Sequence, residues 1–184
     1  MAVTASVRYS LALAAALLAA GGALTLRDAE SSPSAIRAVQ SATRTARKKI
    51  RSAFATAARQ ARLDVDLTTL KHASGSRQIA GAVAIKNLSR LTLEDVSRGA
   101  IVGLVLLDLP SSTGIPVGFY RVEANGSRGA VRLLRPNGTV VKEVEASIFQ
   151  SNESLTGIEL EVGNDDAHIE FENTLVEIEF TINH

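Results

Sequence analysis

Apolar and acidic residues alternate along the last part of the chain, between Ile158 and Ile182. Side chains on a β-strand point to opposite faces in turn, so this period of two predicts three short strands with one apolar face and one acidic face. The apolar positions are Ile158, Leu160, Val162, Ile169, Phe171, Val176, Ile178, Phe180 and Ile182. The acidic positions are Glu159, Glu161, Glu170, Glu172, Glu177 and Glu179.

The chain between residues 63 and 109 shows related patterns. Alternation predicts a first strand over 63–69 and, after a Gly- and Ser-containing loop over 72–77, a second strand over 79–87. The stretch 91–98 is polar and fits either a helical turn or a connection. The run 100–109 is continuously apolar, which is typical of a strand that is buried on both faces.

Three more strand-like runs follow, over 117–124, 130–134 and 140–148. Asn-Gly pairs lie between them at 125–126 and 137–138, and this dipeptide strongly favours a tight turn between antiparallel strands. These runs predict an up-and-down meander. The whole region predicts a mainly β fold, an antiparallel β-sandwich or barrel of about eight or nine strands.

A long helix is predicted before the strands, over 35–62. This segment contains no Gly or Pro and is dominated by Ala and Arg, which favour helices. Ser32 or Ser34 can cap its start. At helical spacing its apolar residues, mostly Ala, share one face, and all but one of its basic residues share the opposite face. The basic face consists of Arg37, Arg44, Arg47, Lys48, Arg51, Arg59 and Arg62.

The basic helix has four interpretations. It packs on the β domain through its Ala-rich face, or it lies on an anionic membrane surface. It contacts nucleic-acid phosphates, which an exported protein rarely does. Alternatively, its Arg- and Ser-rich, acid-free composition belongs to a targeting leader that is removed.

The first 23 residues have the pattern of a secretory signal peptide. Arg8 precedes an uncharged Ala- and Leu-rich stretch over 11–26, and cleavage is expected after Ala23. The competing interpretation is an uncleaved anchor, although a membrane span needs about 20 apolar residues. The predicted organisation is a signal peptide (1–23), a linker (24–34), the helix (35–62) and the β domain (63–184). The expected location is secreted or periplasmic.

The charges are segregated along the chain, although the formal net charge is only +1. Residues 31–63 contain eight Lys or Arg and no Asp or Glu, whereas residues 143–184 contain eleven Asp or Glu and no Lys or Arg. Such segregation suggests mutual attraction or an oppositely charged partner. We therefore expect a binding surface within one chain or between chains, formed by Arg44, Arg47, Lys48, Arg51, Glu159, Glu161, Glu170, Glu172, Glu177 and Glu179.

Little in the sequence indicates chemistry. The absence of Cys excludes disulfides and thiolate ligands, and the low aromatic content, 4%, disfavours base-stacking surfaces. His72, His168 and His184 form no recognisable metal or acid–base pattern, and no Gly-x-Ser-x-Gly is present. No cofactor is therefore expected. The one metal alternative is Ca²⁺ at a turn containing Asn164, Asp165 and Asp166.

The sequence thus predicts an exported, non-enzymatic β-sandwich protein that acts by protein or surface binding. Its partner is expected to be another protein or a second copy of the chain. The alternative is a peripheral membrane or envelope protein held by the basic helix. A hydrolase with a spatially assembled site ranks last, because outward glutamates on a flat sheet face do not form a cleft.

Overall fold

The computed structural model describes residues 33–75, 78–151, 156–163 and 166–183. The predicted signal peptide and most of the predicted linker lie outside these ranges. The described ranges contain nine strands. In chain order they are β1 (Lys71–Ser74), β2 (Ile79–Ala84), β3 (Ala100–Asp108), β4 (Gly118–Asn125), β5 (Ala130–Leu134), β6 (Val140–Phe149), β7 (Gly157–Val162), β8 (Asp166–Glu172) and β9 (Glu177–Asn183).

Two α-helices accompany the strands in the described ranges. Helix α1 spans Pro33–Ala61 and the short helix α2 spans Leu93–Ser97. A reciprocal pair of hydrogen bonds caps α2: the Thr92 hydroxyl accepts from the Asp95 amide at 3.2 Å, and the Thr92 amide donates to the Asp95 carboxylate at 2.9 Å. The chain divides into two compact units, Met1–Ala53 and Phe54–His184, so only the last turns of α1 belong to the unit that contains the sheet.

All neighbouring strands are antiparallel, and the order across the sheet is β1-β2-β3-β4-β5-β6-β9-β8-β7. The first six strands form a meander. The last three follow in reverse order, so that β9 pairs with β6 and β7 lies at the edge of the sheet. The edges of the sheet approach each other, since the Gln78 side chain donates to the carbonyl oxygens of Gly163 at 2.5 Å and Asp166 at 3.2 Å. The sheet is therefore a nearly closed, barrel-like structure, which confirms the predicted antiparallel β class.

The core lies on the inner face of this sheet, where the apolar positions of the alternating strands meet. Strands from both parts of the sheet contribute to it. Its fully buried residues include Ala82, Val105, Val122, Leu133, Ile169, Phe171 and Ile178. The apolar positions predicted from the alternation between Ile158 and Ile182 are thus the ones that build this side of the core.

The outer face of β2, β3 and β4 is also covered, by the last turns of α1. Phe54 is fully buried, and its ring contacts the ring of Phe119 edge to face, with centroids 5.1 Å apart. A Cβ built on Gly81 would lie 3.0 Å from the same ring, so the absence of a side chain at Gly81 leaves the space that Phe54 occupies. Because both faces of β3 are covered, Leu104 and Val105 are both inaccessible to solvent.

The predicted first strand over 63–69 is wrong. Only Val65 makes a single bridge, with Ile85, and Leu67–Thr69 forms a 3-10 helix. The cause is local, because the Asp66 carboxylate accepts from the amide of Thr68 at 2.9 Å and caps this helix. The predicted loop over 72–77 is also wrong in part, since β1 occupies Lys71–Ser74 and pairs with β2.

Candidate functional site: the acidic face

The acidic face is the outer surface of β7, β8 and β9. We use this name for the side chains of Glu159, Glu161, Glu170, Glu172, Glu177 and Glu179. Each strand buries its apolar positions in the core, so the alternating glutamates must point outward. The two on the edge strand β7 are exposed, whereas the four on β8 and β9 are half-buried by their neighbours.

The strand register places like charges side by side. Glu170 on β8 lies directly opposite Glu159 on β7 and Glu179 on β9, which forms a row of three carboxylates across the sheet. Glu172 lies opposite Glu177 in the neighbouring row. Directly opposed side chains in an antiparallel pair have Cβ atoms about 5 Å apart, so like charges in these positions destabilise the sheet.

The electrostatic cost is concentrated on Glu170. Partial burial raises the pKa of this carboxyl above its ordinary value, and the negative charges of Glu177, Glu159, Glu172 and Glu179 raise it further. No Lys or Arg among the described residues forms an ion pair with Glu170 or with the opposed Glu159 and Glu179. The row is therefore an uncompensated negative surface within the part of the chain that the structure describes.

One histidine lies at the border of the acidic face. His168 is opposite Glu161 on β7 and Thr181 on β9, and its Nδ1 lies 3.1 Å from the Thr181 hydroxyl oxygen. Its Nε2 is 3.9 Å from a carboxylate oxygen of Glu179, close enough for an ion pair when the imidazole is protonated. His168 thus supplies a counter-charge to this face only in its protonated form.

Three of the glutamates also form a compact group of oxygens. One carboxylate oxygen from each of Glu170, Glu172 and Glu177 lies within 4.8 Å of the other two. Hard cations such as Ca²⁺ prefer oxygen ligands of this kind. A hydrogen bond holds one of the three, because the buried Ser151 hydroxyl donates to Glu172 at 3.0 Å. The sequence pattern did not single out this group, because the trio depends on the register between β8 and β9.

The calcium site that the sequence suggested lies only in part within the described residues. Asn164 and Asp165 lie outside the described residues, and Asp166 begins β8, where its carbonyl oxygen accepts from the Gly163 amide at 3.0 Å. Ca²⁺ binding at this turn stays a prediction.

The basic residues of the predicted surface lie in α1. Arg47, Lys48 and Arg51 are exposed, and the side chain of Arg44 lies outside the part that the structure describes. All four belong to the unit Met1–Ala53, whereas the acidic face belongs to the other unit. The proposed pairing of the two surfaces therefore stays a prediction.

An exposed aromatic residue borders the acidic face. Phe149, at the end of β6, lies opposite Glu177 and is 43% exposed, whereas most of the described aromatic side chains are buried. Phe149 is not among the residues that the sequence pattern assigned to a binding surface. Its position was visible in the alternation of β6, because Phe149 falls on the outward set together with Glu143 and Glu145.

Two further observations bear on function. Among the described helices, none combines the length and the apolar character that crossing a lipid bilayer requires. Comparison with protein-family models, with curated proteins and with solved structures finds no match for this chain.

Proposed function

We propose that the protein is an exported, non-enzymatic binding module whose acidic face binds a cationic polypeptide surface. The observation that carries this proposal is the row Glu159–Glu170–Glu179, in which three like charges lie opposite one another without a described Lys or Arg beside them. A bound cationic surface relieves this repulsion and gains ion pairs. The half-buried carboxylates gain most, because solvent screens them less than exposed ones.

The surroundings of the acidic face suit such a partner. Phe149 offers an exposed aromatic ring beside Glu177, where an Arg or Lys side chain can stack on the ring and pair with a carboxylate. An interface with an apolar or aromatic contact and a charged surround is typical of stable protein recognition. Phe149 and the row of glutamates together favour an Arg-rich partner over a simple cation.

We propose that the cationic surface is helix α1 of a second copy of the chain, through Arg44, Arg47, Lys48 and Arg51. The support is the segregation of charge, with eight basic residues and no acidic residue over 31–63 and the reverse composition over 143–184. Arg47, Lys48 and Arg51 are exposed on α1 and therefore accessible to a partner. The proposal of export rests on the N-terminal pattern, and the intact mass of the mature protein tests it: a start near Leu24 supports export with α1 retained.

Sedimentation velocity at low and high salt tests the self-association. We expect the wild-type protein to associate at about 20 mM salt and to dissociate at about 500 mM. At the higher concentration the electrostatic screening length falls to a few ångströms, which weakens exposed ion pairs. Replacing Arg44, Arg47, Lys48 and Arg51 with Gln should abolish association at low salt, and so should replacing Glu159, Glu170 and Glu179 with Gln. Mixing these two variants should restore one contact per pair, because the intact α1 of the glutamate variant can bind the intact acidic face of the variant that lacks the basic residues.

The matched control replaces Lys86 and Arg90, which lie outside α1, with Gln. This variant should associate as the wild type does. A deletion of α1 would be a poor substitute, because Phe54, Ala57 and Ala58 are buried and their removal would damage the fold. The proposed partner would be overturned if the wild-type protein stayed monomeric at low salt, or if it sedimented with anionic vesicles without associating with a second copy.

A further inference from the structure

Strands β6 and β9 separate partway along their length. They pair over only four residues, from Ala146–Phe180 to Phe149–Glu177. The strands diverge beyond the Ala146–Phe180 pair. From there β6 extends back to Glu143 beside β5, and β9 extends forward to Asn183 beside β8. Between these continuing segments there is no strand pairing in the described residues, so a gap opens within an otherwise continuous sheet.

Backbone groups point into this gap. The Ala146 amide donates to the carbonyl of Gly129 at 2.9 Å, on the β5 side of β6. Backbone groups of alternate residues point to opposite sides of a strand, so those of Ser147 and Glu143 face β9. Ser147 pairs with Glu179, so the backbone groups of Glu179 face β6. By the same alternation the backbone groups of Asn183, four residues after Glu179, face the gap. The ends of both strands thus present backbone groups to each other across the gap, without a strand partner on this side among the described residues.

The gap is large enough to hold part of a polypeptide and is mainly acidic. Its cavity has a volume of about 470 Å³ and is lined by 142–147 of β6 and 179–183 of β9. Three glutamates, Glu143, Glu145 and Glu179, line it, against one lysine. That lysine, Lys142, is engaged elsewhere, because its ammonium group donates to the Thr113 carbonyl at 2.6 Å.

We infer that this gap binds an extended cationic segment of another polypeptide, which adds to the sheet as a strand between β6 and β9. Main-chain hydrogen bonds to both strands would hold such a segment, and alternating Lys or Arg side chains would meet the glutamates. Helix α1 does not qualify as this ligand, because its backbone groups are already used within the helix. The inference does not rest on the proposed function, and only Glu179 borders both surfaces.

Strand addition differs from simple charge attraction in its need for backbone donors. The probe is a fluorescent heptapeptide of alternating Arg and Val, compared by anisotropy with the same peptide N-methylated at alternate amides. The two peptides carry equal charge, but the second has lost hydrogen-bond donors. We expect the methylated peptide to bind the wild-type protein about tenfold more weakly, since two or more backbone hydrogen bonds are removed.

Two variants and a map of the bound state locate the site. Glu145→Gln, in the gap, should weaken binding of the unmethylated peptide about threefold, whereas Glu94→Gln, on α2 and outside both surfaces, should leave it unchanged. Amide NMR shifts on titration should concentrate in 142–147 and 179–183. Thermal unfolding of both variants shows whether either has lost its fold.

Equal binding of the two peptides would overturn the inference and leave the acidic face as the binding surface. Failure of both peptides to bind, or shifts confined to β7 and β8, would overturn it as well. None of these results bears on self-association through α1, which sedimentation measures separately.

Discussion

Glu170 lies directly opposite Glu179 across the antiparallel β8–β9 pair. Its other neighbour in the same row is Glu159, so Glu170 has a like charge on each side. Natural sheets usually place opposite charges or uncharged groups at such positions, because opposed like charges reduce stability. A repulsive arrangement at the centre of an outer face therefore costs the protein stability.

The first prediction concerns Glu170→Gln, which removes the central charge of the row. Burial and neighbouring carboxylates raise the pKa of Glu170 above its ordinary value of 4.5, so the folded state holds this proton more tightly than the unfolded state does. The destabilising effect of the charge is complete above the raised pKa, decreases as the pH falls through it, and is absent below 4.5. Urea unfolding at pH 7 should show a gain of about 0.5 kcal/mol in the free energy of unfolding.

The same substitution should give no gain at about pH 4, where Glu170 is largely protonated in both states. The control is Glu161→Gln, since Glu161 is exposed and lies opposite His168 and not opposite a carboxylate. It should change stability by less than about 0.3 kcal/mol. A loss of stability in Glu170→Gln at pH 7 would show that the row is already compensated.

The second prediction concerns Phe54, which attaches the last turns of α1 to the outer face of the sheet. Its ring is fully buried against Phe119, so Phe54→Ala should lower the free energy of unfolding by about 3–5 kcal/mol. Phe149→Ala is the matched control, because Phe149 is 43% exposed and its removal should cost less than about 1 kcal/mol. Similar losses in the two variants would contradict the packing of α1 described above.

Much of the fold could be predicted from period-two alternation and turn residues. The strands between Ile158 and Ile182 and the apolar run that became β3 were located correctly, because burial of alternate or continuous apolar positions dominates their energetics. The segment 63–69 alternates just as well and yet forms no strand. There the Asp66 side chain satisfies a local amide, and such short-range competition is invisible to a pattern of hydrophobicity.

The candidate site was predictable only in part. Alternation assigns the six glutamates to outward positions, but it does not say which of them are opposed. The register between β8 and β9 decides that Glu170 meets Glu179, and it is set by burial of the apolar face together with the joining turn, where the Asn173 backbone amide donates to the Val176 carbonyl at 2.9 Å. No local sequence pattern predicts the gap between β6 and β9. It arises where the two strands diverge and each continues beside a different neighbour.

The third prediction compares two glycines in strands. A Cβ on Gly103 would lie 2.6 Å from the Val83 carbonyl oxygen and would also clash with the Phe171 ring, so β3 and β8 could not keep their separation. Gly103→Ala should therefore cost about 1–3 kcal/mol or more in the free energy of unfolding.

Gly157→Ala provides the contrast, because a Cβ at Gly157 would meet no atom of the described residues within 4 Å. It should be neutral or stabilise the protein by about 0.4–1 kcal/mol, through the reduced freedom of the unfolded chain. Thermal or urea unfolding of both variants measures the difference. A Gly103→Ala protein as stable as the wild type would mean that the core is less closely packed at this point.

The fourth prediction concerns Asn173, a fully buried polar residue in the turn between β8 and β9. Its amide nitrogen donates to the carbonyl oxygens of Leu88 at 2.5 Å and Leu91 at 3.0 Å. Its amide oxygen accepts from the backbone amides of Leu175 at 2.6 Å and Val176 at 2.8 Å. Asn173 thus closes the β8–β9 turn and ties it to the segment that follows β2. Sequence patterns missed it because Asn is common in ordinary exposed turns.

Asn173→Ala leaves two carbonyls and two amides without this partner, so it should lower the free energy of unfolding by about 3 kcal/mol. Asn173→Asp keeps the acceptor oxygen but places a carboxylate against two carbonyl oxygens, and it should be at least as damaging at pH 7 and recover in part at about pH 4. Asn137→Ala is the control, because Asn137 is exposed and its side chain accepts from the Thr139 amide at 3.1 Å. A small and pH-independent effect of Asn173→Asp would show that this turn is open to water.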